Sequence, residues 1–144
     1  MYIGTLVDDV QKVVEGLRQS HGEFTLAMLY NPSSLTSSSN WNLIISASWT
    51  DALGKFDSTH LIARLLHEGM DRANQPAISR VTVLMTSDPF VRDMTYLYPA
   101  SSPGRVPVGR VTAGDVDEGS GFVFYSKKDN ADTKQGISPA VDRA

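Results

Sequence analysis

Six side chains, Trp49, Asp51, Asp57, His60, Ser87 and Asp88, could share one site if the chain folds as its periodicities predict. Carboxylates beside an imidazole can hold a hard cation such as Mg²⁺, or divide the work of a general acid and a general base. These residues lie far apart in the sequence. A parallel pair of strands would gather them, because its carboxyl ends share one edge of the sheet, where ligands bind in open α/β folds. Thr50 would sit on the same edge, and Glu23 would approach from an antiparallel neighbour. Each residue also has a plainer role: Asp57 and Asp88 suit helix N-caps, Asp51 a turn, and Trp49 a core or interface aromatic. Asp88 works against an anion at its helix start, since a negative charge already occupies that end of the dipole.

Recognised catalytic patterns are absent. Gly119-Ser120-Gly121 is too short for a phosphate-cradling loop and lacks the strand-loop-helix setting, and no Gly-x-Ser-x-Gly elbow occurs. His67-Glu68 lacks the second histidine of a zinc-protease helix. His60 and His67 are seven residues apart, which separates them by about 10 Å along a helix. They share a face with Arg64 and Asp71, opposite the apolar stripe, as a solvated face would. Asp115-Val116-Asp117-Glu118 lacks the spacing of a calcium loop and reads as a solvated turn. No cofactor is implied.

The elements that must position these residues follow from periodicity. Leu6, Val10, Val13, Val14 and Leu17 line one helical face, with Thr5 as cap, Asp8 and Asp9 in the first turn and His21-Gly22 as the stop. Phe24, Leu26, Met28 and Tyr30 alternate as a strand, and Leu43, Ile45, Ala47 and Trp49 as a second. The polar segment 31–40 between them suits a hairpin loop. A second helix opens at Asp57 or Ser58, buries Leu61, Ile62, Leu65, Leu66 and Met70, and ends at Asn74-Gln75-Pro76. The unbroken run Val81-Thr82-Val83-Leu84-Met85 predicts a central strand covered on both faces. Asp88-Pro89 starts a third helix with a buried face of Phe90, Val91, Met94, Leu97 and Tyr98, stopped by Pro99. Val106-Pro107-Val108 suits an edge strand, and Phe122-Val123-Phe124-Tyr125 reads as a short strand.

The order α-β-β-α-β-α-β-β predicts an α+β domain of two or three layers, built as a mixed β-sheet of about five strands with three helices. The first two strands pair antiparallel, and the second and third run parallel across a helical crossover. One such domain spans residues 1–128, followed by a polar tail, 129–144. At 144 residues, 41% hydrophobic and 20% charged, the chain has the size and composition of one globular domain. It lacks cysteine, which excludes disulfides, thiolate metal sites and a cysteine nucleophile, and fits a cytoplasmic location. A net charge of −3 with no basic block disfavours nucleic acid and acidic lipid. No apolar run reaches membrane-span length, and the start carries no secretory signal.

The segment Trp41-Asn42-Leu43-Ile44-Ile45-Ser46-Ala47-Ser48-Trp49 resembles a tryptophan-led strand preceding a helix in a group of small uncharacterised bacterial α/β proteins. Val81-Thr82-Val83-Leu84, Asp88-Pro89-Phe90-Val91-Arg92 and Phe122-Val123-Phe124-Tyr125-Ser126 follow in the same order. The resemblance spans residues 20–128, consists of core strands, and implies a fold while transferring no catalytic residue. The residues themselves favour a non-catalytic protein-interaction or small-ligand-binding domain that forms a homo-oligomer, with Trp41, Trp49, Tyr30, Tyr96, Tyr98 and Tyr125 as candidate interface aromatics. The alternative is a small metal-assisted hydrolase or transferase working through Asp51, Asp57, His60 and Asp88.

Overall fold

Helix α1 covers Ile3–His21 in the computed structural model, which describes residues 3–31, 41–100, 106–108 and 120–127. The 32–40 connection, the acidic stretch 115–118 and the 129–144 tail lie outside the described residues. The helix begins two residues before Thr5, so Thr5 is inside it instead of capping it, and Asp8 and Asp9 fall beyond the first turn. Asp9 serves a tertiary contact: its Oδ2 accepts from the Asp71 N–H at 2.9 Å and from Asn74 Nδ2 at 2.8 Å. Leu6, Val10, Val14 and Leu17 are fully or almost fully buried, as the stripe predicts. Gly22 ends the helix with φ 135°, its N–H donating to Arg18 O at 3.1 Å.

Strands β1 (Leu26–Asn31) and β2 (Trp41–Ser46) pair antiparallel, from Leu26 opposite Ser46 to Tyr30 opposite Asn42. Ala47 and Trp49 do not continue β2 as alternation predicts. The Thr50 hydroxyl folds the chain back first, accepting from the Ala47 N–H at 3.0 Å and donating to Ala47 O at 2.9 Å. That local bond competes with the ladder and opens a short helix, α2, Ser48–Leu53. Gly54, at φ 101°, separates α2 from α3, Lys55–Gly69. The chain therefore has four α-helices among the described residues where three are predicted. Ser58 Oγ donates to Thr50 O at 3.2 Å and fixes the corner. In α3, Ile62 and Leu66 are buried, while Leu61 and Leu65 are half-buried.

A 3-10 turn at Gln75–Ala77 leads into β3, Ile78–Val83, which pairs parallel to β2 as expected. Helix α4 covers Pro89–Leu97, with Asp88 as its N-cap accepting from the Phe90 N–H at 2.8 Å. Strand β4 is Val106–Val108 and β5 is Ser120–Ser126. The order across the sheet is β3-β2-β1-β5-β4. It places β3 at an edge, which corrects the central position predicted from its apolar run; only Val83 of this strand is buried. β-branched residues favour a strand without fixing its place in the sheet, and the other side of β2 is already taken by β1. β4 is the opposite edge, as its proline predicts.

The core has two parts, one on each face of the sheet. Ala27, Leu29, Leu43 and Ile45 pack against α1 and α3, whereas Leu26, Met28, Ile44 and Val123 pack against Val91 and Met94 of α4. The architecture is thus α+β in three layers, with α1 and α3 on one side and α4 on the other. Leu97, expected in the buried face of α4, is 61% exposed. The pairing of β1 with β5 shifts register between Ala27 and Met28, where a bulge turns Phe124 and Tyr125 to the same face, toward α1.

Gly121 crosses the sheet where a Cβ would overlap the Leu29 carbonyl of β1. Because that obstacle is backbone in a paired strand, Gly121→Ala should destabilise the chain by about 2 kcal/mol or more. Urea unfolding followed by circular dichroism measures it.

Candidate functional site

The carboxyl ends of β2 and β3 share one edge of the sheet, because the two strands are parallel. β1 begins there and β5 ends there, with Leu26 opposite both Ser46 and Ser126. The structure places Trp49 and Asp51 on α2, Asp57 and His60 on the first turns of α3, and Ser87 and Asp88 before α4. Asp51 is committed to a structural tie: its Oδ2 accepts from Thr86 Oγ1 at 2.6 Å, and its Oδ1 from the Thr86 N–H at 3.2 Å. These bonds join α2 to the segment between β3 and α4. Asp88 is committed to the Phe90 N–H, and Thr50 to its own turn. Asp57, His60 and Ser87 are exposed. Among the described residues, no group of three or more histidine or acidic side chains is placed to hold a metal ion.

Trp49 belongs to a second arrangement that spacing in the sequence does not show. Its Nε1 donates to Gly22 O at 3.2 Å, and its ring lies 4.9 Å from that of His21 and 5.9 Å from that of Phe24. Phe24 in turn lies 5.6 Å from Tyr125. The Tyr125 hydroxyl donates to Glu15 Oε1. Glu15 also receives a two-pronged contact from Arg18, with Nε at 3.2 Å and an Nη at 2.8 Å, and a bond from Gln19 at 3.0 Å. The other Nη of Arg18 reaches Glu23 at 2.8 Å. The Arg18 bond, followed by that of Tyr125, holds the Glu15 carboxyl down at about 2. Burial, with the Glu15 carboxylate beside it, pushes the Tyr125 phenol up to about 12. A phenol shifted upward stays protonated at neutral pH, and a carboxylate at about 2 is a weak base. This cluster locks the end of α1 onto β5 and activates no proton-transfer group.

What the structure leaves open lies on the other side of α3. A groove of about 300 Å³ runs between α3 and β3, with Ala63, Leu66, Met70, Ile78 and Val81 as its apolar lining. His67 and Arg80 also line it, and no aspartate or glutamate does. Beside it runs the outer edge of β3. Leu84 N donates to Ile45 O at 2.9 Å, so strand alternation points Thr82 toward β2 and turns the N–H and C=O groups of Val81 and Val83 outward. Among the described residues no strand pairs with that edge. The opposite edge is blunted, being three residues long and containing Pro107. β3 carries a register shift before Asn42 and Arg80, which leaves Arg80–Val83 regularly paired with β2. Large apolar side chains are also exposed near the carboxyl edge, including Phe56 at 82% and Met85 at 55%.

No protein-family model, no curated protein and no solved structure matches the chain. Sequence spacing does not single out Glu15 or Arg18, and Tyr125, a candidate interface aromatic by its type, is buried instead. The i,i+3 pairing of Glu15 with Arg18 is visible on a helix, but the bulge that turns Tyr125 toward it is not.

Since the Glu15 carboxyl sits near 2 in the fold, against 4.5 for a free glutamate, its contribution is complete above pH 4.5. It fades as the pH falls from 4.5 through 2. Glu15→Gln should therefore cost about 1 kcal/mol at pH 7, discounted for the exposure of the pair, and close to nothing at pH 2. Paired urea titrations at the two values check the sign.

Proposed function

We propose that this chain is a non-catalytic interaction domain that captures an extended polypeptide segment along β3, with side chains of that segment entering the groove beneath α3. The observation that carries this reading is the edge of β3, unpaired among the described residues, lying beside an apolar groove on the same face as Val81. Strand addition to an edge gains main-chain hydrogen bonds, and pockets for alternate side chains supply selectivity. A groove of about 300 Å³ is at the small end of ligand sites and suits side chains better than a whole cofactor. The commitment of Asp51 and Asp88 to backbone and hydroxyl donors supports binding over the alternative of metal-assisted hydrolysis or transfer. A second copy of the chain offers one such strand, its own β3. Homo-oligomerisation through paired β3 edges is the homotypic form of strand addition, and it brings no carboxylate to Arg80, since β3 contains none.

Selection of random linear nonapeptides on the immobilised 144-residue chain tests the reading. It predicts enrichment of sequences whose apolar residues recur at every second position. Binding should be lost with Val81→Pro, which removes an outward N–H, and with Ala63→Trp, which fills the groove from the exposed face of α3. Enrichment at helical spacing, no enrichment, or binding that survives both variants contradicts it.

A further inference from the structure

Resting on the strand-capture reading, we infer that the segment taken up by β3 is acidic: an extended peptide with apolar side chains on one face and carboxylates on the other or at its end. The rim of the groove carries one positive charge, that of Arg80, in a chain whose overall charge is −3. Arg80 lines the groove, is exposed, and makes no ion pair among the described residues. His67 adds an imidazole from α3, and none of the residues lining the groove is a carboxylate. Glu68, the next residue along α3, is turned to Arg64 at 3.5 Å. Gln75 is also occupied, its Nε2 donating to His67 O at 2.7 Å and Met70 O at 3.3 Å. The guanidinium of Arg80 is therefore the charged group left to choose among partners.

Geometry makes the choice specific to an extended segment. Val81 and Val83 present their peptide groups outward, and a strand laid against them sends every second side chain toward α3. Those side chains meet Ala63, Leu66 and Met70, so they must be apolar. The residues between them face away from α3, where a carboxylate stays hydrated and meets Arg80 in a solvent-screened pair. Such a rim charge selects partners and speeds encounter, while the apolar contacts and the main-chain bonds hold the complex.

The test uses three fluorescein-labelled nonapeptides alternating valine with glutamate, serine or lysine, titrated by anisotropy against the full chain at low and at physiological salt. The glutamate peptide should bind at least about tenfold more tightly than the lysine peptide at low salt, with the gap narrowing as salt rises. Arg80→Glu, an exposed site outside the core, should reverse the order without changing the thermal melt. Equal binding of all three peptides, or an order that Arg80→Glu leaves unchanged, overturns the charge selection while strand capture stands. Binding by none of them up to millimolar concentration overturns both.

Discussion

Strand β1 has a hydrogen-bonded neighbour on each edge and a helical layer on each face, and every residue from Leu26 to Leu29 is buried. A strand so enclosed can leave no backbone group without a partner, because a buried unpaired N–H or C=O costs about as much as the hydrogen bond it forgoes. The remaining pairings follow from that constraint. β2 takes one side of β1 through the hairpin and β5 the other through its return, so strands added afterwards must lie outside them. β3 and β4 become the edges. β5 meets β1 closely enough that only a glycine fits at position 121, opposite Tyr30.

The two edges of the sheet, as the described residues form it, are finished differently. β4 is short and contains a proline, a combination that resists further pairing. β3 is longer, rich in β-branched residues, and overlain by α3 in a way that leaves an apolar groove at its side. Some of the polar residues serve architecture, whereas Asp57, His60 and Ser87 stay exposed. Asp51 ties α2 to Thr86, Asp88 caps α4, and Glu15 with Arg18 and Tyr125 clamps α1 to β5. Among the described residues, several titratable groups serve as ties while the outer edge of β3 has no strand paired to it.

Most of this architecture is legible in the amino-acid sequence, because it rests on periodic burial. The stripes of α1 and α4, the antiparallel hairpin, the parallel relation of β2 and β3, and the Asp88 cap all follow from local pattern. The misplacements have identifiable causes. Alternation through Ala47 and Trp49 resembles a strand, yet the Thr50 hydroxyl closes a helical turn there, a bond that depends on one side chain and leaves no trace in hydropathy. The run Val81 to Met85 resembles a central strand, since apolar strand composition does not distinguish an edge lying beneath a helix from a strand enclosed on both sides. The groove is not legible in the sequence for a related reason. Ala63 and His67 sit on the exposed side of α3, and only the three-dimensional path of β3 brings that side beside Ile78 and Val81.

Native-state amide hydrogen exchange, read residue by residue along β3, tests most directly whether this edge is open. Thr82 and Leu84, whose N–H groups face β2, should exchange slowly and track the stability of the sheet. Val81 and Val83 should exchange far faster in the isolated chain. Equal protection of all four amides would mean that β3 already has a strand on its outer side, and the account of this face as a free binding edge would be wrong.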